Sequence, residues 1–546
     1  MSVTNLTING IGVSVAAGAT VLEAARAAGI RIPTLCYMRG LSEIGACRIC
    51  NVEVKGMRAH VAACVYPVFE GMEVFTNSAY VRESRKMNLE LLMSNHRREC
   101  MSCPRSTNCE LQNLALEYGA SEAGMGADVA PAPDFSAPHL VRDNSKCIFC
   151  RRCEVVCRDE SHVGVIGANG RGYEARIGSP FDMGLGDTAC IHCGRCVAVC
   201  PTAALMEKDD TPAVWAALDD ANKHVVIAAA PAVAVQLGEM FGMPIGENVS
   251  GKIAAAMKML GFDRAFDIAP AADLTIMEEG AELISRLNSG ENLPMFTSCC
   301  PSWVKFCEYY YPDWIDNIST CKPPQLMFGA LMKSYYAEKT GINPADMVVV
   351  TIMPCTAKKF EITRTDDIDI TITTREFAAM IRRAGIMFES LPDTDFDPLF
   401  GISSGAANIF AHSGGVAEAA LRGIKDQIGD KAVKIKAISG LSNAKALLDK
   451  IRAGEEHFDF VEIMGCPGGC INGGGQPQHP ACAHNEHDIL AARKQGLRKI
   501  DNTKNIQSPQ ENPIIKELYT NYLEKPASPR AHELLHTHYT PRDIYE

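Results

Sequence analysis

Apolar and polar residues alternate through residues 3–15, broken by Asn9-Gly10, a pattern that predicts two strands joined by a tight hairpin turn. Residues 20–29 then read as a short helix, and residues 80–118 as helical around a Leu/Met-rich run. From about residue 209 the periodicity changes. Val225–Ala229, Val348–Ile352 and Phe460–Ile463 are short β-rich runs, separated by amphipathic helical stretches such as 251–260 and 375–384. Strands alternating with helices predict an open α/β region. No uninterrupted apolar span approaches the roughly 20 residues a membrane helix needs, so neither a transmembrane segment nor a membrane partner is expected.

A chain of 546 residues amounts to several domains, because one core rarely serves beyond about 250–300 residues. Its 47% hydrophobic and 22% charged residues are ordinary for a soluble protein. The net charge of −12 argues against nucleic acid as a partner and favours cationic patches on whatever docks. What stands out is 23 cysteines. Without a basic-plus-apolar export signal after Met1, they read as metal ligands in a reducing, cytoplasmic setting rather than as disulfides.

Nineteen of the cysteines and one histidine fall into five groups suited to iron–sulfur centres. Cys36, Cys47, Cys50 and Cys64 follow the predicted hairpin and helix, a context similar to a plant-type [2Fe–2S] ferredoxin domain over residues 1–78. The wide spacings depart from the plant form and resemble the N-terminal domain of the large complex I iron–sulfur subunit. His96, Cys100, Cys103 and Cys109 sit in a helical segment, 79–130, and resemble the His-ligated [4Fe–4S] site of the same proteins. One His with three Cys also suits structural zinc, and zinc stays open for both of these groups. His139 has no ligand spacing and reads as a surface residue; residues 131–140, with Pro131, Pro133 and Pro138, read as a stiff linker.

Residues 141–208 carry two runs of C-x2-C-x2-C-x3-C, in which the fourth cysteine ligates the other cluster. One [4Fe–4S] is thus expected on Cys147, Cys150, Cys153 and Cys200, its twin on Cys190, Cys193, Cys196 and Cys157. The second run ends in the usual proline, Pro201, whereas the first has Arg158. The fifth group is scattered over Thr297-Ser-Cys-Cys-Pro-Ser-Trp303, Met353-Pro-Cys-Thr-Ala-Lys358 and Gly465-Cys-Pro-Gly-Gly-Cys470. Two of these loops directly follow β-rich runs, and open α/β sheets gather ligand sites beyond the carboxyl ends of their strands. Cys300, Cys355, Cys466 and Cys470 can therefore converge, with glycines 468, 469 and 473–475 leaving room for a bulky inorganic group.

These three loops resemble the H-cluster signatures of [FeFe]-hydrogenases, and the resemblance runs along nearly the whole chain. It implies a [4Fe–4S] cube on Cys300, Cys355, Cys466 and Cys470, the last bridging to a two-iron unit with CO, cyanide and azadithiolate ligands. Gly465 departs from the family's frequent alanine, a change expected to be tolerated. The implied reaction is the reversible joining of two protons and two electrons into dihydrogen. The implied proton relay runs from Cys299 through Glu279, Ser319 and Glu282 to Arg286. From spacing alone, Glu279, Glu282 and Arg286 share one helix face that could equally be solvated, with an ion pair between the last two. The resemblance further assigns Lys358 to a cyanide, and Ala230, Pro231, Ala232, Gln325, Met353 and Met464 to the pocket wall; Met is also ordinary gap-filler. Cys307, Cys321 and Cys482 read as small buried hydrophobes, and His479 and His484 as members of a polar surface loop.

The fold expected is a multidomain α+β chain: a β-grasp ferredoxin domain, a small helical domain with one His and three Cys ligands, a bacterial-type 2[4Fe–4S] ferredoxin domain, and a large two-lobed α/β H-cluster catalytic domain over 209–505. The tail, 506–546, resembles the small-subunit segment of two-chain relatives. Cofactors expected are one [2Fe–2S], three accessory [4Fe–4S] and the H-cluster. Expected partners are ferredoxin, NAD(P)H-linked subunits or both, together with dedicated maturation proteins; the module order fits a monomeric hydrogenase as well as an electron-bifurcating assembly with flavin-containing subunits. A complex I-type subunit would not account for the three loops. An assembly-factor relative would lack Cys299, and a sensory relative would add a signalling domain.

Overall fold

The computed structural model describes residues 2–544 except 122–130, 399–401, 429–431 and 480–485. Strands β1 (Val3–Ile8) and β2 (Ile11–Ala16) form the predicted hairpin, with Asn9 and Gly10 both at positive φ, as its two-residue turn demands. Strands β3 (Asn51–Val54), β4 (Val61–Ala62) and β5 (Met72–Phe75) complete a five-stranded sheet in the order β2-β1-β5-β3-β4. The helix Val21–Ala27 starts at a capping box in which Thr20 and Glu23 bond each other's backbone N–H, fixing the chain just before the first cysteine group. The 80–118 stretch is two helices, Ala79–Ser94 and Glu110–Tyr118. His96, Cys100 and Cys103 lie in the turns between them, and Cys109 stands at the N-cap of the second helix.

The next module pairs β6 (Leu140–Arg142) with β9 (Leu205–Glu207), and between them β7 (Gly167–Asn169) pairs with β8 (Arg176–Gly178). Residues 131–138 are not a free spacer. Asp134 accepts from Arg142 at 2.9 Å and from the Leu185 N–H at 2.9 Å, and Ala137 is buried against this module. His139 is not at the surface either: it is 1% exposed, its ring Nδ1 2.7 Å from that of His192. A ring that short of water must find its partners inside, which the sequence pattern could not reveal.

Two all-parallel sheets make the remaining core. One runs β11-β10-β13-β14, with β10 His224–Ala229, β11 Arg264–Asp267, β13 Met347–Met353 and β14 Ile370–Thr373. The other runs β12-β16-β15, with β12 Met295–Phe296, β15 Ile435–Ser439 and β16 Phe460–Met464. The short β12 escaped the sequence reading, yet it places the Cys299-Cys300 loop at a carboxyl end like the other two. The long helix Ala269–Ser289 packs between the two sheets' helical layers, and the chain's end wraps back onto the larger core through Ile515, Leu518, Leu523 and Leu535. Among the described residues no helix is long and apolar enough to cross a membrane.

Candidate active site

Four loops leave strand ends toward one buried pocket: Ala230-Pro231-Ala232 after β10, Cys299-Cys300 after β12, Cys355 after β13, and Cys466 to Cys470 after β16. The loops touch. The Gly465 N–H donates to Cys300 Sγ at 3.3 Å, and the Gly475 N–H donates to the Pro354 carbonyl at 2.9 Å. A Cβ on Gly473 would collide with the Pro354 carbonyl oxygen, so only glycine lets the two cysteine loops close on each other. Gly465 is less demanding: an added methyl would lie 3.2 Å from Ser302 Cβ, a contact a slight shift relieves. Ala232 shares a small apolar cluster with Ile471, which brings the Pro231 loop against Cys470.

Burial first, and then the neighbouring thiols' charges, push Cys355, Cys466 and Cys470 up, Cys470 to about 12. Burial also raises Cys300. Four thiolates in so dry a place need a polycationic core to hold them, and soft sulfur donors select iron–sulfur chemistry. The donor set, the glycine cradle and the orphaned Gln325 Oε1 fit an iron–sulfur group in this pocket. Gln325 is 1% exposed and donates weakly, at 3.3 Å, to the Lys358 carbonyl and to Thr371. Met353 and Met464 are both buried at the ends of their strands, and Met464 packs in one apolar cluster with Cys299, Cys300 and Cys470.

Lys358 Nζ bonds both Glu361 oxygens at 2.8 Å and the Cys299 carbonyl at 3.2 Å. Burial works against its charge, but the Glu361 carboxylate outweighs burial and holds the ammonium above its ordinary value. A fixed cation thus faces the pocket. Glu361 was missed in the sequence, although its place three residues after Lys358 on one helix was the available signal.

The face of helix Ala269–Ser289 bearing Glu279, Glu282 and Arg286 is buried rather than solvated. Glu279 is 1% exposed and neither carboxyl oxygen makes a close hydrogen bond, the Ser298 N–H and the Ser319 hydroxyl acting on it too weakly to offset burial. Burial, then the nearby Glu282 carboxylate, push it up to about 8, so it holds a proton at neutral pH. Cys299 is raised by burial and then by Glu279, and stays a thiol. Ser319 Oγ donates to Glu282 Oε2 at 2.8 Å, and Arg286 Nη2 to Glu282 Oε1 at 2.6 Å. The expected ion pair exists, but inside. Cys321 is buried without being merely apolar, since its thiol points at Glu282 from 3.6 Å. Cys307 is fully buried and donates to the Tyr311 carbonyl at 3.3 Å.

The other groups assemble close to their spacing. Cys50 and Cys64 sulfurs are 3.4 Å apart, and Cys36 and Cys47 are buried beside them. His96 Nδ1 sits 3.1 Å from the Lys146 carbonyl, and a proton there would leave Nε2 as the acceptor nitrogen. One cavity is lined by Cys147, Cys150, Cys153 and Cys200 together, the crossed set. Cys157 in turn feels Cys193, and Cys190 and Cys196 feel both. A buried Arg152–Glu110 pair, at 2.7 and 3.0 Å, links the His96 module to this one.

The joint to the pocket was not anticipated. Thr356, next to Cys355, donates to the His192 carbonyl at 2.9 Å, and Arg195 Nη1 donates to Asn472 Oδ1 at 3.1 Å. A Cβ on Gly474 would fall 2.6 Å from the Cys193 carbonyl. The Cys190/Cys193 site therefore abuts the Cys355 and Cys470 loops. His479 meets Glu239 at 2.7 Å in a partly buried network with Arg493, while Cys482 and His484 lie outside the described residues.

Comparison with known proteins agrees with this geometry. Residues 223–474 match the iron only hydrogenase large subunit, C-terminal domain, and 487–542 the iron hydrogenase small subunit. Residues 2–79 match a 2Fe-2S iron-sulfur cluster binding domain, 85–123 the NADH-ubiquinone oxidoreductase-G iron-sulfur binding region, and 146–204 a 4Fe-4S dicluster domain. The NADP-reducing hydrogenase subunit HndD of Solidesulfovibrio fructosivorans is 44% identical over 99% of this chain and 100% of its own length. Iron hydrogenase 1 of Clostridium pasteurianum is 37% identical over 97% of this chain and 99% of its own. A solved [FeFe]-hydrogenase from Chlamydomonas reinhardtii superposes with a TM-score of 0.53 at 37% identity, covering 60% of this chain and 98% of that one.

Proposed function

The chain belongs to the [FeFe]-hydrogenase family, and on that premise we propose how its residues divide the work of interconverting two protons and two electrons with dihydrogen. Cys300, Cys355, Cys466 and Cys470 would hold the cubane part of the H-cluster, with Lys358, Gln325, Pro231, Met353 and Met464 walling its two-iron part. When bound, that group supplies the redox-active metal at which dihydrogen is made or split. The protein supplies protons, electrons and dryness.

Once the Cys299 thiol has passed its own proton into the pocket, Glu279 gives it the proton it holds, and Glu282 then reloads Glu279 through the Ser319 hydroxyl. Glu279 carries this reading: a buried carboxyl without a close hydrogen bond, neutral at pH 7 and within reach of Ser319, is costly to keep for structure alone and suits a proton carrier. Arg286, a cation throughout, orients Glu282. Electrons would pass along one [2Fe–2S] on Cys36, Cys47, Cys50 and Cys64, one [4Fe–4S] on His96, Cys100, Cys103 and Cys109, and two crossed [4Fe–4S] clusters, the last beside Thr356. The full-length likeness to an NADP-reducing hydrogenase subunit and the complex I-like segment favour a flavin-containing, NADP(H)-linked assembly as electron partner over ferredoxin alone.

The test is Cys299→Ala in the chain matured with its clusters. Hydrogen evolution from reduced methyl viologen should fall by about 10²–10⁴-fold while the infrared CO and cyanide bands persist. Undiminished turnover would remove Cys299 from the relay.

A further inference from the structure

Beyond Glu282 the relay meets an obstacle. Arg286 lies buried, its guanidinium bonded to Glu282 and to the carbonyls of Asn292, Asp316, Asn317 and Ile318. A guanidinium stays charged across the working pH range and cannot take up the next proton. A titratable group stands on the other side of Glu282, and the chain's end supplies it. The segment around His536 pairs with the strand of chain carrying Ser319, Thr320 and Cys321: the Lys322 N–H donates to the Leu535 carbonyl and the Thr537 N–H to the Thr320 carbonyl, each at 2.7 Å. This fixes the His536 ring with Nδ1 2.8 Å from Thr320 Oγ1 and Nε2 3.1 Å from Glu278 Oε2. A Glu282 carboxylate oxygen, the Cys321 sulfur and a His536 ring nitrogen all lie within 4.8 Å of one another. On the outer side, the exposed His532 ring lies against His536, centroids 4.0 Å apart and planes inclined at 35°.

We propose that His536 and His532 carry protons between Glu282 and solvent, a branch of the relay that does not pass through Arg286. It rests on the relay described above. A proton leaving the Glu282 carboxyl crosses by one water or by the Thr320 hydroxyl to His536, whose Nε2 faces a Glu278 oxygen at 3.1 Å. It then passes to His532 and to bulk water. Only O–H and N–H bonds break and form, and no electron moves. Glu278 is itself fully buried and held by the Tyr519 hydroxyl at 2.6 Å and the Ala527 N–H at 2.8 Å, so it keeps its place against the His536 ring. Imidazole is the side chain whose ordinary pKa suits two-way proton exchange near neutral pH. The C-terminal segment thus completes the proton path as well as covering the core.

The experiment uses the matured full chain carrying His536→Gln, which keeps polar atoms but cannot titrate, His532→Ala at the exposed position, and Glu279→Gln as reference. Turnover from reduced methyl viologen is measured from pH 6 to 9 with and without imidazole. The infrared CO and cyanide bands report the cofactor, and the carboxyl band of Glu282 in difference spectra reports proton exchange apart from turnover. His536→Gln should slow turnover about tenfold, flatten the pH profile and delay the Glu282 signal, with imidazole restoring much of the loss; His532→Ala should do the same more weakly. Unchanged turnover and Glu282 kinetics in His536→Gln, beside a collapsed Glu279→Gln, would overturn the branch and leave the inner relay standing. A loss in His536→Gln with altered cofactor bands and no imidazole rescue would make the histidine a structural clamp and also overturn it. Full activity in Glu279→Gln would sink the inner relay instead.

Discussion

The electron-carrying modules and the catalytic region use buried charge in opposite ways. In the first, Arg152 and Glu110 form a closed ion pair, 2.7 and 3.0 Å long, between the His96 and Cys150 sites. Its charges are permanent, which suits groups that move electrons and should not take up protons. In the second, Glu279 is buried with neither carboxyl oxygen in a close hydrogen bond, and burial pushes it up to about 8, so it holds its proton at neutral pH and gives it up only a little above. Charge there is meant to come and go. Sites that pass electrons are built on fixed charges; the site that meets protons keeps one buried group uncommitted.

The largest effect expected from this contrast is at Glu279. Glu279→Gln should lower hydrogen evolution by about 10²–10⁴-fold and leave the electron paramagnetic resonance signals of the accessory clusters as they are. The same change should help the fold at high pH. A carboxyl whose ordinary value is 4.5 and whose folded value is about 8 binds a proton in the folded chain that the unfolded chain releases. Its stability contribution is therefore full below pH 4.5 and is lost as pH rises through 8. Glutamine stays neutral, so the variant's denaturant midpoint should fall less than the parent's between pH 5 and 9. An equal fall in both would mean that Glu279 does not hold its proton in the folded state.

Arg152→Gln should have the next largest effect, and of the opposite kind. It strands a buried carboxylate at Glu110, a loss of about 3–5 kcal/mol in stability. Removing a cation beside the Cys36 and Cys150 sites should also move the potentials of those clusters negative in a spectroscopic titration. Hydrogen–deuterium exchange catalysed at the pocket needs no electron from the accessory clusters and should survive in the folded fraction. If exchange fell as far as partner-driven evolution, the two regions would not be separable in the way their charges suggest.

How far the sequence could be read follows the same division. The accessory sites take their ligands from short stretches, so spacing alone grouped Cys147, Cys150 and Cys153 with Cys200, as the shared cavity has them. The pocket draws on loops from Cys299 to Cys470, and only the strand-then-cysteine pattern hinted that they meet; β12, two residues long, left no such pattern. What stayed hidden were partners set by tertiary packing: Glu361 under Lys358, His139 against His192, and His536 against Glu278. Each pairs residues through a fold that neither residue's neighbours encode. The helix face of Glu279, Glu282 and Arg286 was visible as a face, but its burial depended on Ser319 and the tail lying over it.

The smallest effect belongs to the joint, at one hydroxyl among the several contacts that hold the two regions together. Thr356 donates to the His192 carbonyl at 2.9 Å, and both residues are buried. Thr356→Val keeps the shape, removes the donor and leaves that carbonyl unsatisfied, a cost of about 1–3 kcal/mol. Neither the cysteines around Cys355 nor those around Cys193 lose a ligand. Exchange at the pocket should therefore stay within about twofold and the potentials of the outer clusters should not move, while evolution driven by the physiological electron partner slows several-fold because the last cluster sits less firmly against the Cys355 loop. Arg195 with Asn472 and the tight Gly194–Gly474 approach still hold the interface, which is why the loss stays partial. Stopped-flow reduction of the chain by its electron donor, compared with exchange in the same sample, separates these outcomes. A fall in exchange as large as the fall in electron delivery would mean that Thr356 braces the pocket itself and not the joint.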